Sequence, residues 1–496
     1  MKNLPLTISV LLFIVGAGCL FAQQDKHRMI VLADMGNEPD EEQQMVHMMM
    51  YSNEFDIQGL IAVSGKYLHS AYPLPERTRL YPDLFHKIID AYQKDLPNLE
   101  KHATGWPDPD YLRSIVKSGQ PDYGIAGVGP GFSSQGSEHI IECLEKDDPR
   151  PLYVVVNAGS NTLAQAIIDY EAAHSEAEVD AFIGKLRVFE NGAQDNAGAW
   201  ICANYPEIHW VRSNYQTYCY GGPRVSGNLE KYDIGPYTWE PYDYSYLGQH
   251  HWALDHIIVG HGQMGKTWPM RIMGPGHVLF LEGGGTIPWM GLIHQGLWDI
   301  SQPHWGGWSG RFTRELVKNE WSRHQDIQMD EENYGNFYLF TEAADSWVDP
   351  ETGHHYTSEF TPIWRWRRAM FNDFACRMDW CVKGYEDANH PPHAAINGDR
   401  KERIHIIHAD AGGKLVFDAS ASSDPDQDSL AFSWWIYREP GTYAGILELE
   451  HTGSPVLSLE LPADSKGSEI HLILEVRDDN QIAEMYDYRR VIINCN

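Results

Sequence analysis

Between Asp34 and Glu42 the chain sets five carboxylates, Asp34, Glu38, Asp40, Glu41 and Glu42, among a glycine and an asparagine. Carboxylates this dense suit three jobs. They can hold a hard cation such as Ca²⁺, which takes roughly six to eight oxygens from carboxylates and carbonyls. They can act as acid and base on a polar substrate. They can also simply complement the positive end of a helix, whose dipole would oppose a cation placed there. What favours a site is repetition. "ADMGNEPDE" (33–41), "NAGSNT" (157–162), "ENGAQDN" (190–196) and "EGGG" (282–285) all follow apolar runs, and all are rich in carboxylates, amides or glycine.

Such loops converge only if the elements behind them share one edge. Met29–Ala33 reads as a short buried strand, Pro39 fits the first turn of a helix, and Met45, Met48 and Met49 recur at helical spacing before the strand "DIQGLIAVSG". This is a βαβ unit. "PLYVVVNAGSNTLAQAIIDY" repeats it, and "LRVFENGAQDNAGAW" and "HVLFLEGGGTIPW" read as two further strands running into polar loops. The expected fold is therefore α/β, a mostly parallel sheet with flanking helices over residues 27–388, whose ligands bind at the carboxyl ends of the strands. The composition changes at "NHPPHAAINGD". Residues 396–496 then read as short strands with turn signals, an immunoglobulin-like β-sandwich.

The bulk numbers exclude some partners. An excess of 69 acidic over 38 basic residues, net −31, argues against nucleic acid and anionic membranes. Seventeen Trp and 26 Tyr permit a carbohydrate role without requiring one. Residues 1–22 read as a secretory signal peptide cut after Ala22, with Cys19 as a rival lipid-modified position, so the mature chain is expected to be secreted or periplasmic. No later run reaches membrane-spanning length, and no feature assigns an oligomeric state. The remaining cysteines show neither a disulfide framework nor a zinc pattern, and Cys376 and Cys381 would bridge poorly.

Other candidates weigh less. His250, His251 and Asp255 have near-helical spacing but lack an accompanying general base. His261 in "GHGQMGKTWP" sits on a glycine loop as a donor to a site or as ordinary packing. Trp305, Trp308 and Arg311 in "HWGGWSGR" suit sugar stacking and simple packing equally. "IWRWRRAMFNDF" reads as a helix with buried aromatics and a solvated basic face. Asp424, Asp426 and Asp428 fit a turn better than a cation site, and Trp434 and Trp435 must point to opposite faces of one strand.

The blocks "GNEPDEEQ", "YGIAGVGPG" with "GSEHII", "NTLAQAI", "QDNAGAW", "HGQMGKTWP", "HWGGWSGRF" and "YRRVII" carry a resemblance. The opening resembles the nucleoside hydrolase fold, whose signature DTDxGxDD ends a strand before a helix. The ordered set is closer to an exported bacterial family, the Sde182-like cellulose-binding proteins, with a nucleoside hydrolase-like domain and a C-terminal immunoglobulin-like domain. The resemblance implies Ca²⁺ held by aspartates and water attack on an anomeric carbon. It implies Asp34 as metal ligand and base, Glu38 beside it on the sugar hydroxyls, and Asp40 as a further ligand. Asn161 or Thr162 falls where a backbone carbonyl completes the shell, and Asp195 and Asn196 fall where polar groups orient the sugar. Two departures stand out. Pro39 sits inside the carboxylate pair, and the late loop offers Glu282 where an aspartate is the rule, with Asp299 as another source. The expected function is metal-assisted hydrolysis of a glycosyl bond in a glycan or glycoside. The alternatives are a non-catalytic carbohydrate-binding protein and, more weakly, a surface scaffold.

Overall fold

The structure, a computed structural model, describes residues 26–213, 252–269, 272–273, 278–279, 285–317, 334–350, 353–401 and 403–496. Strands β1 (His27–Ala33), β2 (Phe55–Ala62), β3 (Val116–Ser118), β4 (Leu152–Val156), β5 (Leu186–Asn191), β6 (His209–Ser213), β7 (Phe312–Val317) and β8 (Phe337–Glu342) form one sheet. Their order is β3-β2-β1-β4-β5-β6-β8-β7, parallel throughout except where β7 runs against β8. From β1 the chain builds outward through β2 to β3, then returns to β4 on the other side of β1. The switch point therefore lies between β1 and β4, where a crevice opens outside the carboxyl ends of the strands.

β1 shows why its residues make a central strand. Met29, Val31 and Ala33 join one core cluster, with residues of helices α1 (Pro39–Met49) and α2 (Pro82–Leu99). Ile30 and Leu32 join the opposite cluster, with α3 (Gln135–Glu145), α4 (Ser160–Glu171) and α5 (Ala197–Asn204). Both faces are covered, so the run is apolar without alternation. Pro39 is the first residue of α1, as its spacing predicts. "HVLFLE" does not supply a strand of this sheet within the described residues. Val278 and Leu279 pair antiparallel with Ile272 and Met273 instead.

In the C-terminal part β9 (Ile404–Ala409), β10 (Lys414–Asp418), β11 (Ala431–Tyr437), β12 (Val456–Glu460), β13 (Glu469–Arg477) and β14 (Tyr486–Cys495) form two sheets, β9-β14-β13-β11 and β10-β12. They enclose Phe417, Trp434, Leu457 and Leu472. Trp434 is the core residue of its pair. Trp435 points to the other domain, its ring 5.6 Å from Trp366. Of the three arginines in "IWRWRR", only Arg368 is solvated. Arg367 is buried at the start of α6 (Arg367–Asp379), and Arg365 is buried against Asp345, because the sandwich covers this side of the helix pair. Among the described residues the cysteines Cys143, Cys202, Cys376, Cys381 and Cys495 are free and buried.

Tyr437, Ile473 and Tyr488 of the sandwich belong to the first domain's core cluster. Arg490 fastens the contact, donating to the carbonyls of Leu297 at 3.1 Å and Gly306 at 2.9 Å and to His471 Nδ1 at 2.7 Å. A guanidinium can only donate, so His471 accepts at Nδ1 and donates its Nε2–H to Glu469, 2.8 Å away. Burial lowers the His471 pKa to about 4. The unfolded imidazole, near 6.5, takes a proton first as pH falls. Stability from this group is therefore complete above about pH 6.5 and is lost toward pH 4, by roughly 3 kcal/mol for a shift of this size. Urea midpoints should fall between pH 7 and pH 4.5, and His471→Gln should flatten that slope. Equal slopes in the two proteins would remove His471 from the account.

Candidate functional site

Asp34 is the first residue past β1, and its carboxylate is almost fully enclosed. Asn37 turns back on it, its N–H donating to the Asp34 carbonyl at 3.0 Å and its Nδ2 to Asp34 Oδ2 at 2.9 Å. Burial raises the Asp34 pKa to about 7, with Asp40 adding to the rise. The five carboxylates of this segment then separate. Glu42 turns outward to Lys87 at 2.7 Å. Glu38 occupies the N-cap of α1 and makes no side-chain capping bond. Asp40 lies half-buried near Asp34. Glu41 is buried, accepts from Asn157 Nδ2 at 3.1 Å, and is pushed well up by burial and by Asp34.

Asn157 ends β4 on the other side of the switch point, its N–H bound to the Leu32 carbonyl at 2.9 Å. Gly159 then turns left-handed (φ +63), where a Cβ would lie 2.3 Å from Val63 Cβ, so only glycine starts α4 here. Asn161 donates to the Asp122 carbonyl at 2.7 Å. The loop after β5 brings in Asp195, whose Oδ1 accepts from the Ala197 N–H at 2.7 Å and whose pKa burial raises to about 7. Asn196 accepts from the Ile125 N–H at 2.8 Å, leaving its amide to donate elsewhere. The backbone N–H groups of Asn161 and Gly124 also point at the Asp195 carboxylate, while Asn157 Oδ1 and Asn161 Oδ1 are buried and meet no hydrogen-bond partner among the described residues. Buried polar atoms are seldom left so, and two in one cradle point to a polar occupant.

The loops are joined directly. Gly65, after β2, lies against Asp34: a Cβ there would be 3.0 Å from Asp34 Oδ2 and 3.1 Å from Ala158 Cβ. Lys66 N–H reaches the Gln194 carbonyl at 3.3 Å. Gly285, the last glycine of "EGGG", sits where a Cβ would be 2.5 Å from Asn157 Nδ2. The late loop therefore enters the cradle, while Glu282 itself lies outside the described residues, as do His250 and His251.

Two candidates, His261 and Trp305, fall elsewhere. His261 pairs with Asp379 at 3.2 Å, beside Asp95 of α2. Tyr81, just before α2, lies under Gly36 near Asp34, and Asp95 is fourteen residues further along, or about 20 Å at the helical rise. His261 is thus at the far edge of the sheet. Trp305 is buried at the domain boundary, its ring 6.0 Å from His471, so it packs and does not stack on sugar. Thr162 lies next to Asn161 in the first turn of α4, its hydroxyl accepting from the Gln120 N–H at 3.3 Å. Trp308 is likewise core, and Asp299 caps its own turn at Ser301. Asp424 accepts from the N–H groups of Asp426 and Asp428 at 2.8 and 3.1 Å, which is turn chemistry.

Glu41 and Asn157 were missing from the residues expected at the site. The signal for Asn157 is an amide directly after an all-apolar strand. Glu41 gave none, since sequence does not say which of three successive carboxylates faces inward.

Comparison with known proteins bears on the fold and the family. The family model described as "Cellulose-binding Sde182, nucleoside hydrolase-like domain" matches residues 28–312. "Cellulose-binding protein Sde0182, C-terminal domain" matches residues 414–495. A solved structure, a nucleoside hydrolase-related hypothetical protein from Saccharophagus degradans that is associated with carbohydrate metabolism, is 33% identical. The match covers 95% of this chain and 100% of that one, with a TM-score of 0.77. An endo-beta-1,4-mannanase from Thermotoga petrophila aligns over 96% of this chain and 99% of its own at 11% identity, but its TM-score of 0.18 carries no argument. No curated protein matches the chain.

Proposed function

This chain belongs to the Sde182 cellulose-binding family with a nucleoside hydrolase-like domain, and on that premise we propose that it hydrolyses a glycosyl bond of an extracellular glycan. One observation carries the reading. At the switch point, buried carboxylates from β1 and α1 face buried amides and a carboxylate from the loops after β4 and β5, with polar atoms left unanswered among the described residues.

The donors are of the type Ca²⁺ takes, although among the described residues only Asp424, Asp426 and Asp428 bring three carboxylates within reach of one ion, so this set would have to draw together around it. The set is all oxygen, and the ionised carboxylates repel one another in a low-dielectric pocket. Asp34 and Asp40 would hold the ion; when bound, it would supply the positive charge that keeps these groups ionised and would anchor sugar hydroxyls. The chain's own residues do the rest. Asp34, ionised, takes the proton of a water attacking the anomeric carbon, while the C–O bond to the leaving sugar breaks and its oxygen takes a proton from solvent at the mouth. Glu38 and the Asn196 amide reach sugar hydroxyls from opposite sides of the mouth. Asp195 and Asn161 answer hydroxyls deeper in the cradle, and the fold excludes bulk water behind them.

A second reading, glycan binding without turnover, draws support from the family's description as cellulose-binding. Calorimetry with Ca²⁺ on the full chain should show binding that Asp34→Ala abolishes, together with sugar release from cello-oligosaccharides that stops in EDTA. No Ca²⁺ binding, or equal binding by Asp34→Ala, would overturn the metal-assisted reading. Retention on cellulose in EDTA without sugar release would favour the binder.

A further inference from the structure

Beside the carboxylates, the edge of the sheet carries a row of amides. Val156, the last residue of β4, pairs with Glu190 of β5, so Asn157 and Asn191, which follow them, stand next to each other at the same height. Side chains alternate along a strand. Asn157 therefore shares a face with Tyr153 and Val155, and Asn191 with Phe189, all three in the core cluster that includes α1. Both amides face that helix. Gln44 approaches Asn157 from α1 itself, one turn past Asp40 and Glu41. Gly285 of the late loop marks the contact: a Cβ there would lie 2.5 Å from Asn157 Nδ2 and 2.8 Å from Gln44 Cγ.

Hydrogen bonds fix which end of two of these amides is left over. Trp289 Nε1 lies 3.2 Å from Gln44 Oε1, and an indole N–H can only donate, so the oxygen is used and the Nε2 group is not. The Trp289 ring packs with His47, Tyr51 and Phe55, toward the far end of α1. That draws Oε1 away from the cradle and leaves Nε2 on the side of Asp40 and Glu41. Asn157 Nδ2 donates to Glu41 Oε2 at 3.1 Å, so Oδ1 is its unused end. Gln44 Nε2, Asn157 Oδ1 and Asn191 Oδ1 are all buried, and none has a hydrogen-bond partner among the described residues. Unanswered amides in an enclosed place cost stability, so core packing gives no reason for three of them together. One donor beside two acceptors, the acceptors at the spacing of neighbouring strands, complements two adjacent hydroxyls. Each hydroxyl gives its proton to an amide oxygen, and one of them accepts from Gln44.

We infer that Gln44, Asn157 and Asn191 hold two neighbouring hydroxyls of one sugar ring and so set which sugars the cradle accepts. This rests on the function proposed above only in that the cradle takes a sugar. A protein that binds without turnover uses the same three amides.

The test is calorimetry on the full chain in excess Ca²⁺ with glucose and with 2-, 3-, 4- and 6-deoxyglucose, which have no glycosyl bond to break. Wild type should bind two of the derivatives, altered at adjacent carbons, about 10-fold more weakly than glucose. Gln44→Met should weaken glucose by about 10-fold, yet bind one of those two derivatives within about twofold of wild type, because the lost bond is one that derivative never makes. Asn191→Ala leaves the acceptor of Trp289 in place, should show the same selective loss, and carries the test if Gln44→Met does not fold. A wild type that binds every derivative as tightly as glucose overturns the inference, since the amides then hold water. Equal weakening of glucose and all its derivatives in both variants also overturns it, since the amides then only brace the fold. If no sugar binds wild type, the proposed function falls and this inference with it. The selective pattern without sugar release from cello-oligosaccharides removes hydrolysis and upholds the three amides.

Discussion

Asp34→Asn is expected to lower sugar release from cello-oligosaccharides by about 10²–10⁴-fold, the usual worth of a general base, while making the protein more stable in EDTA. The two effects share one cause. Asp34 sits almost fully enclosed beside Asp40 and near Glu41, and its pKa of about 7 records what that placement costs when the group is charged. An amide of the same shape removes the charge, keeps an acceptor for Asn37, and cannot take a proton. A residue serving only to shape the turn would tolerate the change, because asparagine suits such turns as well as aspartate. Activity within a factor of two of wild type would thus rule out Asp34 as the base. Lost activity with a lowered urea midpoint in EDTA would mean that the carboxylate holds the fold and does not strain it.

That cradle was legible in the sequence to the extent that strand ends were. Asp34, Asn157 and Asp195 all follow runs whose apolar residues are buried on both sheet faces, and a polar residue closing such a run sits at the strand's carboxyl edge. Sharing an edge is a property of parallel topology, so the convergence of distant loops followed from fold class alone. The placement of His261 did not. A histidine on a glycine loop looks the same at either edge of the sheet, and only the length of α2 puts it at the wrong one. Trp305 failed for a related reason. Its burial comes from a second domain closing over the first, and no local pattern in "HWGGWSGR" reports what another domain will cover.

The same closure gives the second large effect. Asp345→Ala should destabilise the contact between the domains by about 3–5 kcal/mol. Asp345 is enclosed where a short hairpin meets the sandwich, and it answers three donors. Arg311 Nε lies 2.6 Å from Oδ1, while Arg365 Nη1 at 3.0 Å and the Tyr437 hydroxyl at 2.6 Å share Oδ2. Arg365 also stands over the rings of Tyr437 and Trp435, at 4.3 and 4.7 Å, both contributed by the sandwich. Removing the carboxylate takes their common counter-charge from two enclosed guanidinium groups, leaving Arg365 with Glu439 at 3.9 Å and Arg311 with the Ala344 carbonyl. That loss far exceeds what an exposed ion pair is worth. Asp345→Asn keeps the volume and one acceptor, so it should fall between alanine and wild type. Urea unfolding followed by tryptophan fluorescence reads the event, because Trp366 and Trp435 face each other across this contact. The expected trace for Asp345→Ala gains an early transition as the domains part, ahead of the loss of the main sheet. A curve that overlays wild type would show that the domains are held by their apolar contact, through Tyr437, Ile473 and Tyr488, with the buried charges adding nothing to it.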